Sequence, residues 1–231
     1  MSRSTPDIFA RKSRVFLVDD HPLVRDGLAT LINQQADVVV CGDAEDAASA
    51  LTKIATTRPH LALIDISLNL TSGLELIKDL RIQHPAVAVV VLSMHDEMLY
   101  AERALRAGAR GYVMKRESTQ NVLTAIRRVL EGGVYLSDRV VAAMALRLGG
   151  RRSSDEGEAA PVQQLSDREL EIFRLLGQGR TTLRIADDLH LSLKTVQAYC
   201  ARAKEKLGIN TALELRRMAT RWEDTHAAEI A

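Results

Sequence analysis

A set of polar side chains in the first half of the sequence has the chemistry of a phosphate-binding site. Each member follows a short apolar run: Asp19 and Asp20 follow the first run, Asp65 the third, Ser93 the fourth and Lys115 the fifth. A single aspartate in such a position is more often a solvated helix cap, so the interpretation depends on the whole set. Neighbouring carboxylates repel one another, but the three positive charges of a Mg²⁺ ion and a lysine balance those of three carboxylates. The set therefore predicts a magnesium site beside a carboxylate that can accept a phosphoryl group.

The apolar runs that precede these residues predict the strands of one parallel sheet. They are rich in β-branched residues and nearly continuous, as in strands buried on both faces, and they cover 15–18, 38–41, 61–64, 86–92 and 111–114. Amphipathic stretches between them predict helices at about 22–34, 44–57, 73–83, 96–107 and 118–131. This alternation predicts an α/β fold with a doubly wound, five-stranded parallel sheet. In such folds, functional groups collect beyond the carboxyl ends of the strands.

The region from Arg14 to Glu131 resembles the receiver domain of response regulators, which accepts a phosphoryl group from a sensor histidine kinase. The resemblance is carried by the segments VFLVDDHPLVRDGL, LALIDISLNLTSGLELI, VVVLSMHDE and GARGYVMK. It implies a flavodoxin-like fold in which Asp65 is the phosphoacceptor. It also implies that Mg²⁺ is bound by Asp20, Asp65 and the backbone carbonyl of Ser67, with help from Asp19.

The same resemblance implies roles for three residues around the phosphoacceptor. Ser93 is the switch hydroxyl, Lys115 contacts the phosphoryl group, and Tyr112 is an aromatic side chain that changes position upon phosphorylation. The residue types leave another interpretation of Tyr112 open, in which its ring packs in the core and its hydroxyl contacts water. Family members usually have proline where Asn69 stands, so we expect an altered loop or an altered phosphoryl lifetime.

Two histidines flank the predicted site. His21 follows the first pair of aspartates, and His95 lies two residues after Ser93. We expect both to be solvated or to cap helices, without a catalytic role.

The remainder of the sequence predicts a connecting helix, a flexible linker and a small helical domain. The helix is expected at 137–148, and the segment GGRRSSDEGEAAPVQQ that follows it has the composition of a linker. From Leu165 onward every pattern is helical, and Ser166 and Thr211 each begin a capping-box sequence. We therefore divide the chain into a receiver-like domain at 12–135, a connecting segment at 136–163 and a helical domain at 164–223.

The helix predicted at 193–207 has a composition suited to a DNA groove. Projection at 100° per residue places Val196, Cys200, Ala203 and Leu207 on its core side. The segment 192–207 contains four basic residues and one acidic residue, within a chain of net charge +1. A solvated, mildly basic helix explains the charge equally well. If the helix binds DNA, the expected contacts are Lys194, Thr195, Gln197, Ala198, Tyr199, Ala201, Arg202, Lys204 and Lys206.

The region 165–222 resembles the LuxR-type helix-turn-helix of NarL/FixJ regulators. Matching residues include Glu169, Gly179, Ile185, Ala186, Leu189, Ser192, Thr195, Val196 and the segment 206–208. The resemblance implies that the predicted helix enters the major groove and that the last helix often pairs two protomers. Gln197 and Tyr199 stand where the family commonly has a basic residue and a histidine, so no target sequence is carried over. Tyr199 has two open interpretations, a phosphate contact and packing at the helix edge.

Together these features predict a phosphorylation-regulated transcription factor that is not an enzyme. Its expected partners are a sensor histidine kinase, double-stranded DNA and a second copy of the chain. Two cysteines, no signal-peptide pattern and apolar runs of seven residues or fewer predict a cytoplasmic protein without a membrane span. One alternative is a constitutive DNA-binding regulator whose receiver docks other proteins. A second is an aspartyl-phosphate phosphohydrolase, but that class needs a carboxylate where Ser67 stands.

Overall fold

Strands and helices alternate from residue 13 to residue 130 in the computed structural model, which describes residues 12–68, 72–148 and 162–228. The strands are β1 (Ser13–Val18), β2 (Val38–Ala44), β3 (Leu61–Ile64), β4 (Ala88–Ser93) and β5 (Gly111–Met114). They form one sheet in the order β2-β1-β3-β4-β5, and all neighbouring pairs are parallel. The predicted doubly wound, five-stranded fold is thereby confirmed.

Five helices cover the two faces of this sheet. They are α1 (Pro22–Asn33), α2 (Ala47–Thr57), α3 (Gly73–Gln83), α4 (Glu97–Ala107) and α5 (Thr119–Leu130). Side chains fix three of the starts, since Asp46, Ser72 and Asp96 each accept a backbone N–H of the first turn. The predicted start of α2 at residue 44 was wrong because β2 continues to Ala44 and Asp46 caps the helix.

Alternate strand residues divide the core of the sheet into two layers. Phe16 and Val18 belong to the layer shared with α2, α3 and α4, whereas Val15 and Leu17 belong to the layer shared with α1 and α5. All four side chains are almost completely buried. The near-continuous apolar character of the strands follows from this burial on both faces.

The second half of the chain is helical in the parts that the structure describes. Its elements are α6 (Asp138–Leu148), α7 (Asp167–Gly177), α8 (Thr182–Asp188), α9 (Leu193–Leu207) and α10 (Ala212–Ala228). The capping box at Ser166 is confirmed, and Thr211 exchanges the same pair of hydrogen bonds with Glu214. Helix α9 ends at Leu207 and is capped by Gly208, whose φ of 66° lies in the left-handed region.

Some of the sequence features fall outside the described residues, and others are located by the structure. Asn69 and residues 149–161 of the predicted linker are not among the described residues. Cys41 and Cys200 are both partly buried and pack against the core. In the described parts of the chain, every helix is too short or too polar to span a lipid bilayer.

Candidate functional site

Asp19, Asp65 and Lys115 meet at the carboxyl edge of the sheet. The ammonium Nζ of Lys115 lies 2.6 Å from Asp19 Oδ2 and 2.6 Å from Asp65 Oδ2. Burial by itself lowers the pKa of Lys115, but the two carboxylates raise it above its usual value, so the lysine is held in its charged form. Burial raises the pKa of Asp65, and the ammonium offsets only part of this effect. The site therefore contains a basic carboxylate beside a fixed cation.

Asp20 completes an acidic cluster on the outer side of this ion pair. Ligand atoms of Asp19, Asp20, His21 and Asp65 all lie within 4.8 Å of one another. Asp20 Oδ1 is buried and accepts no hydrogen bond, although it lies 2.7 Å from His21 Nδ1. The ring of His21 is mostly exposed, as predicted. A buried carboxylate oxygen without a donor, beside two further carboxylates, suits a hard divalent cation such as Mg²⁺.

The loop after Asp65 is held close to the start of α3. The N–H of Ser67 donates to Asp65 Oδ1 at 3.0 Å, and the N–H of Gly73 donates to the carbonyl of Ile66 at 2.9 Å. A Cβ atom at Gly73 would lie 2.2 Å from the carbonyl oxygen of Asp65. Only glycine therefore allows α3 to begin against the backbone of the candidate phosphoacceptor.

Ser93 and Tyr112 are joined through the backbone of His95. The N–H of His95 donates to Ser93 Oγ at 3.1 Å, and the Tyr112 hydroxyl donates to the His95 carbonyl at 3.0 Å. The side chains of Ser93 and Tyr112 are both buried. The ring of Tyr112 packs in the core, as one of the two interpretations expected, but its hydroxyl is bonded inside the protein and is not solvated.

The side chain of His95 is partly buried, and the expectation of a solvated or capping histidine was wrong for this residue. Its Nε2 lies 2.7 Å from Ser67 Oγ, and its Nδ1 is contacted by the guanidinium of Arg174 in α7. Burial, together with the charges of Arg174 and Lys115, lowers the pKa of His95 to about 3. The ring is therefore neutral, with Nδ1 accepting from Arg174 and Nε2–H donating to Ser67. No local sequence pattern indicates this placement, since Arg174 lies in the helical domain.

Helix α9 presents the expected face to solvent. Val196 and Ala203 are buried against the domain core, with Cys200 and Leu207 packed beside them. The exposed residues of the opposite face are Lys194, Gln197, Ala198 and Ala201, while Thr195, Tyr199 and Lys204 are partly buried at its edges. This face combines small residues with polar and basic ones, as close approach to a DNA groove requires.

Arg202 and Lys206 are bound by a buried acid, which the sequence analysis missed. Glu169 Oε2 lies 2.7 Å from Lys206 Nζ, and Glu169 Oε1 lies 3.3 Å from Arg202 Nε. Burial by itself raises the pKa of Glu169, but hydrogen bonds from Lys206 and Ser166 lower it below its usual value. The guanidinium of Arg202 also lies 4.5 Å from the centre of the Tyr199 ring. These interactions fix α9 against α7.

Two family models match the chain, one for each half. Residues 15–127 match the response regulator receiver domain. Residues 163–219 match the luxR family of bacterial regulatory proteins. The first match includes every residue of the acidic cluster, and the second includes the whole of α9.

Two relatives align with nearly the whole chain. The DNA-binding transcriptional activator DevR/DosR of Mycobacterium tuberculosis is 33% identical over 207 residues, which cover 90% of this chain and 94% of the relative. The transcriptional activator protein ExaE of Pseudomonas putida is 34% identical over 205 residues, which cover 89% of this chain and 94% of the relative.

Solved structures show the same architecture. A LuxR-family two-component response regulator from Aurantimonas sp. is 30% identical with a TM-score of 0.56, over 60% of this chain and 99% of that chain. RcsB from Salmonella enterica serovar Typhimurium, solved on a promoter with the phosphomimetic BeF₃⁻, is 24% identical with a TM-score of 0.65. That likeness covers 91% of this chain and 100% of RcsB, and it shows the fold alone.

We expect Gly73→Ala to lower the free energy of unfolding by about 1–3 kcal/mol, because the new methyl group would force α3 away from the backbone of Asp65. Urea unfolding measures the change. Gly27→Ala is the matched control, since an added Cβ meets nothing within 4 Å in the middle of α1. That variant should gain about 0.5–1 kcal/mol from the better helix propensity of alanine. Equal stability of the two variants would show that the close approach at Gly73 is unimportant.

Proposed function

The chain belongs to the NarL/FixJ family of response regulators, in which a receiver domain is joined to a LuxR-type DNA-binding domain, and we propose that phosphorylation of Asp65 regulates its binding to DNA. The observation that carries the proposal is the contact of the Lys115 ammonium with Asp65 at 2.6 Å. A phosphoryl group on Asp65 would bring its oxygens to a cation that is already in place. We assign residues 12–135 to the receiver, 136–163 to the connection and 164–223 to the DNA-binding domain.

The proposed reaction at Asp65 is a phosphoryl transfer. A carboxylate oxygen of Asp65 attacks phosphorus on a phosphohistidine of the sensor kinase, and a P–O bond forms. The P–N bond breaks, and its electron pair leaves with the imidazole. Lys115 contacts an equatorial oxygen of the phosphoryl group during its transfer. The N–H of Ser67 donates to Asp65 Oδ1 and keeps the carboxylate oriented. A small acyl phosphate can serve as the donor through the same displacement.

The acidic cluster fits a magnesium ion, and we propose Asp19, Asp20, Asp65 and the backbone carbonyl of Ser67 as its ligands. The support is the buried Asp20 Oδ1, which lacks a hydrogen bond. When bound, Mg²⁺ supplies positive charge that neutralises the phosphoryl oxygens.

We propose Ser93 and Tyr112 as the residues that respond to the phosphoryl group. Ser93 Oγ accepts the N–H of His95, and we propose that its hydroxyl turns to donate to a phosphoryl oxygen. A turn of the serine toward that oxygen changes the hydrogen bond to His95. Tyr112 is bound to the carbonyl of the same residue, so the two side chains are expected to shift together.

For DNA, we propose that α9 enters the major groove through its exposed face. Gln197 has the donor and acceptor needed for an adenine edge, and Ala198 and Ala201 allow close approach. The remaining proposed contacts are Lys194, Thr195, Tyr199, Arg202, Lys204 and Lys206. Arg202 and Lys206 keep N–H groups beyond those that Glu169 binds, so both are assigned to phosphates. The proposed partners are a sensor histidine kinase, double-stranded DNA and, after phosphorylation, a second copy of the chain in the cytoplasm.

Replacement of Asp65 by Asn should abolish uptake of the phosphoryl group, because an amide oxygen is a poor nucleophile. Incubation with radiolabelled acetyl phosphate and Mg²⁺ measures the uptake, and EDTA should prevent it in the wild-type chain. Asp79→Asn, on the exposed side of α3, is the control and should take up label normally. Equal labelling of Asp65→Asn and wild type would rule out Asp65 as the phosphoacceptor.

Replacing Lys194 and Gln197 with Ala should weaken binding to a specific operator by about 10- to 100-fold, because contacts to base edges are lost. The operator is first selected from a random duplex pool with phosphorylated protein. Binding to a random duplex should fall less, since phosphate contacts remain. Lys53→Ala is the control: Lys53 is exposed on α2 of the receiver, and its replacement should change the affinity for neither duplex. If the affinity falls equally for both duplexes, Lys194 and Gln197 contact phosphates and not base edges. Equal operator binding with and without phosphorylated Asp65 would support the constitutive alternative.

A further inference from the structure

The imidazole of His21 faces the carboxylates of the acidic cluster. His21 is the N-cap residue of α1, but its side chain makes no capping hydrogen bond to that helix. Its backbone N–H donates to Asp19 Oδ1 at 2.9 Å, which holds the residue beside the acids. Its Nδ1 lies 2.7 Å from Asp20 Oδ1 and 3.3 Å from Asp19 Oδ1. The ring nitrogen is therefore directed at the acids.

A hydrogen bond explains only the longer of these two contacts of Nδ1. The contact of 3.3 Å with Asp19 Oδ1 has hydrogen-bond geometry, whereas Asp20 Oδ1 accepts no hydrogen bond although Nδ1 lies only 2.7 Å away. The side chain of Asp20 is only 8% exposed. A buried oxygen and a neighbouring nitrogen that do not bond each other are suited to a third partner that binds both.

The spacing of these atoms is that of ligands on one metal ion. Octahedral bonds of about 2.1 Å place neighbouring ligands about 3.0 Å apart and opposite ligands about 4.2 Å apart. Both distances from His21 Nδ1 match neighbouring ligands, and the whole cluster of four ligand atoms lies within 4.8 Å. Lys115 contacts Oδ2 of Asp19 and Asp65, so it leaves the oxygens that face His21 accessible. One ion can therefore bind the carboxylates and the imidazole together.

An imidazole ligand changes which metal ions the site favours. Carboxylate oxygens are hard ligands that suit Mg²⁺, whereas imidazole nitrogen is a common ligand of transition ions. The side chain of His21 is 64% exposed, so its Nε2–H can be solvated while Nδ1 presents its lone pair to an ion. The nitrogen therefore strengthens the binding of a divalent transition ion more than the binding of Mg²⁺.

We propose that Nδ1 of His21 is a metal ligand at this site and gives it a preference for divalent first-row transition ions over Mg²⁺. The proposal rests on the proposed function, whose metal site supplies the carboxylates, and it adds a nitrogen to the oxygens assigned there. Mn²⁺ is the suitable probe, because it binds carboxylates as Mg²⁺ does and is paramagnetic.

Electron spin echo envelope modulation of Mn²⁺ bound to the full, metal-free chain tests the ligand directly. The wild-type chain should show the modulation of one bound ¹⁴N, and a chain grown with ¹⁵N-histidine should show that of ¹⁵N. His21→Ala should lose the nitrogen modulation. His84→Ala is the control and should keep it, because His84 follows the far end of α3, about 16 Å from the start of that helix beside Asp65. Bound Mn²⁺ without nitrogen modulation in the wild type, or modulation that persists in His21→Ala, would overturn the assignment.

The preference between ions is tested by the affinities for Mn²⁺ alone and for Mg²⁺ in competition with it, measured from the signal of free Mn²⁺. His21→Ala should weaken Mn²⁺ binding by about 10-fold or more and Mg²⁺ binding by less than about 3-fold, because only the transition ion gains much from the nitrogen. Equal losses for the two ions would refute the preference. If the wild-type chain binds neither ion, the proposed metal site fails as well, whereas Mn²⁺ bound without nitrogen removes only His21 from it.

Discussion

The ammonium of Lys115 lies between two buried carboxylates, and the rest of the site depends on this ion pair. Taking Asp19 and Asp65 out of water is costly unless a positive charge accompanies them. Lys115 provides that charge at 2.6 Å from each. Lys115 pairs with these two acids, whereas the buried Oδ1 of Asp20 makes no hydrogen bond and lies 2.7 Å from His21 Nδ1. The lysine thus explains how Asp19 and Asp65 are accommodated, and the acidic cluster beside it could bind a divalent cation.

The strand order explains why these residue types stand at these positions. Asp19 follows β1 and Asp65 follows β3, and the two strands are neighbours, so short aspartate side chains can meet. Lys115 follows β5, and β4 lies between it and β3. Two strand spacings are about 10 Å, so only a long side chain reaches the acids from β5. The intervening strand β4 ends at Ser93, whose buried hydroxyl oxygen accepts the N–H of His95.

Two networks of polar contacts connect parts of the protein that are distant in sequence. One joins Ser67, His95 and Arg174 and crosses between the domains. The other joins Glu169 to Lys206 and Arg202 and fixes α9 within its own domain. Each places a charged group where it cannot be left unpaired without cost. The first therefore joins the two domains, whereas the second holds α9 against α7.

The sequence by itself determined the strands, the helices, the caps at Ser166 and Thr211 and the polar residues at the strand ends, because periodicity and capping are local and parallel strands end at one edge of a sheet. It could not show the burial of His95, since that depends on Arg174, 79 residues away. Nor could it show that Glu169 binds Lys206 across 37 residues. Both contacts exist only after helices have packed, and no local pattern encodes the packing of one helix against another. Tertiary structure alone therefore decided which charged side chains are held inside the protein and which remain free to meet a partner.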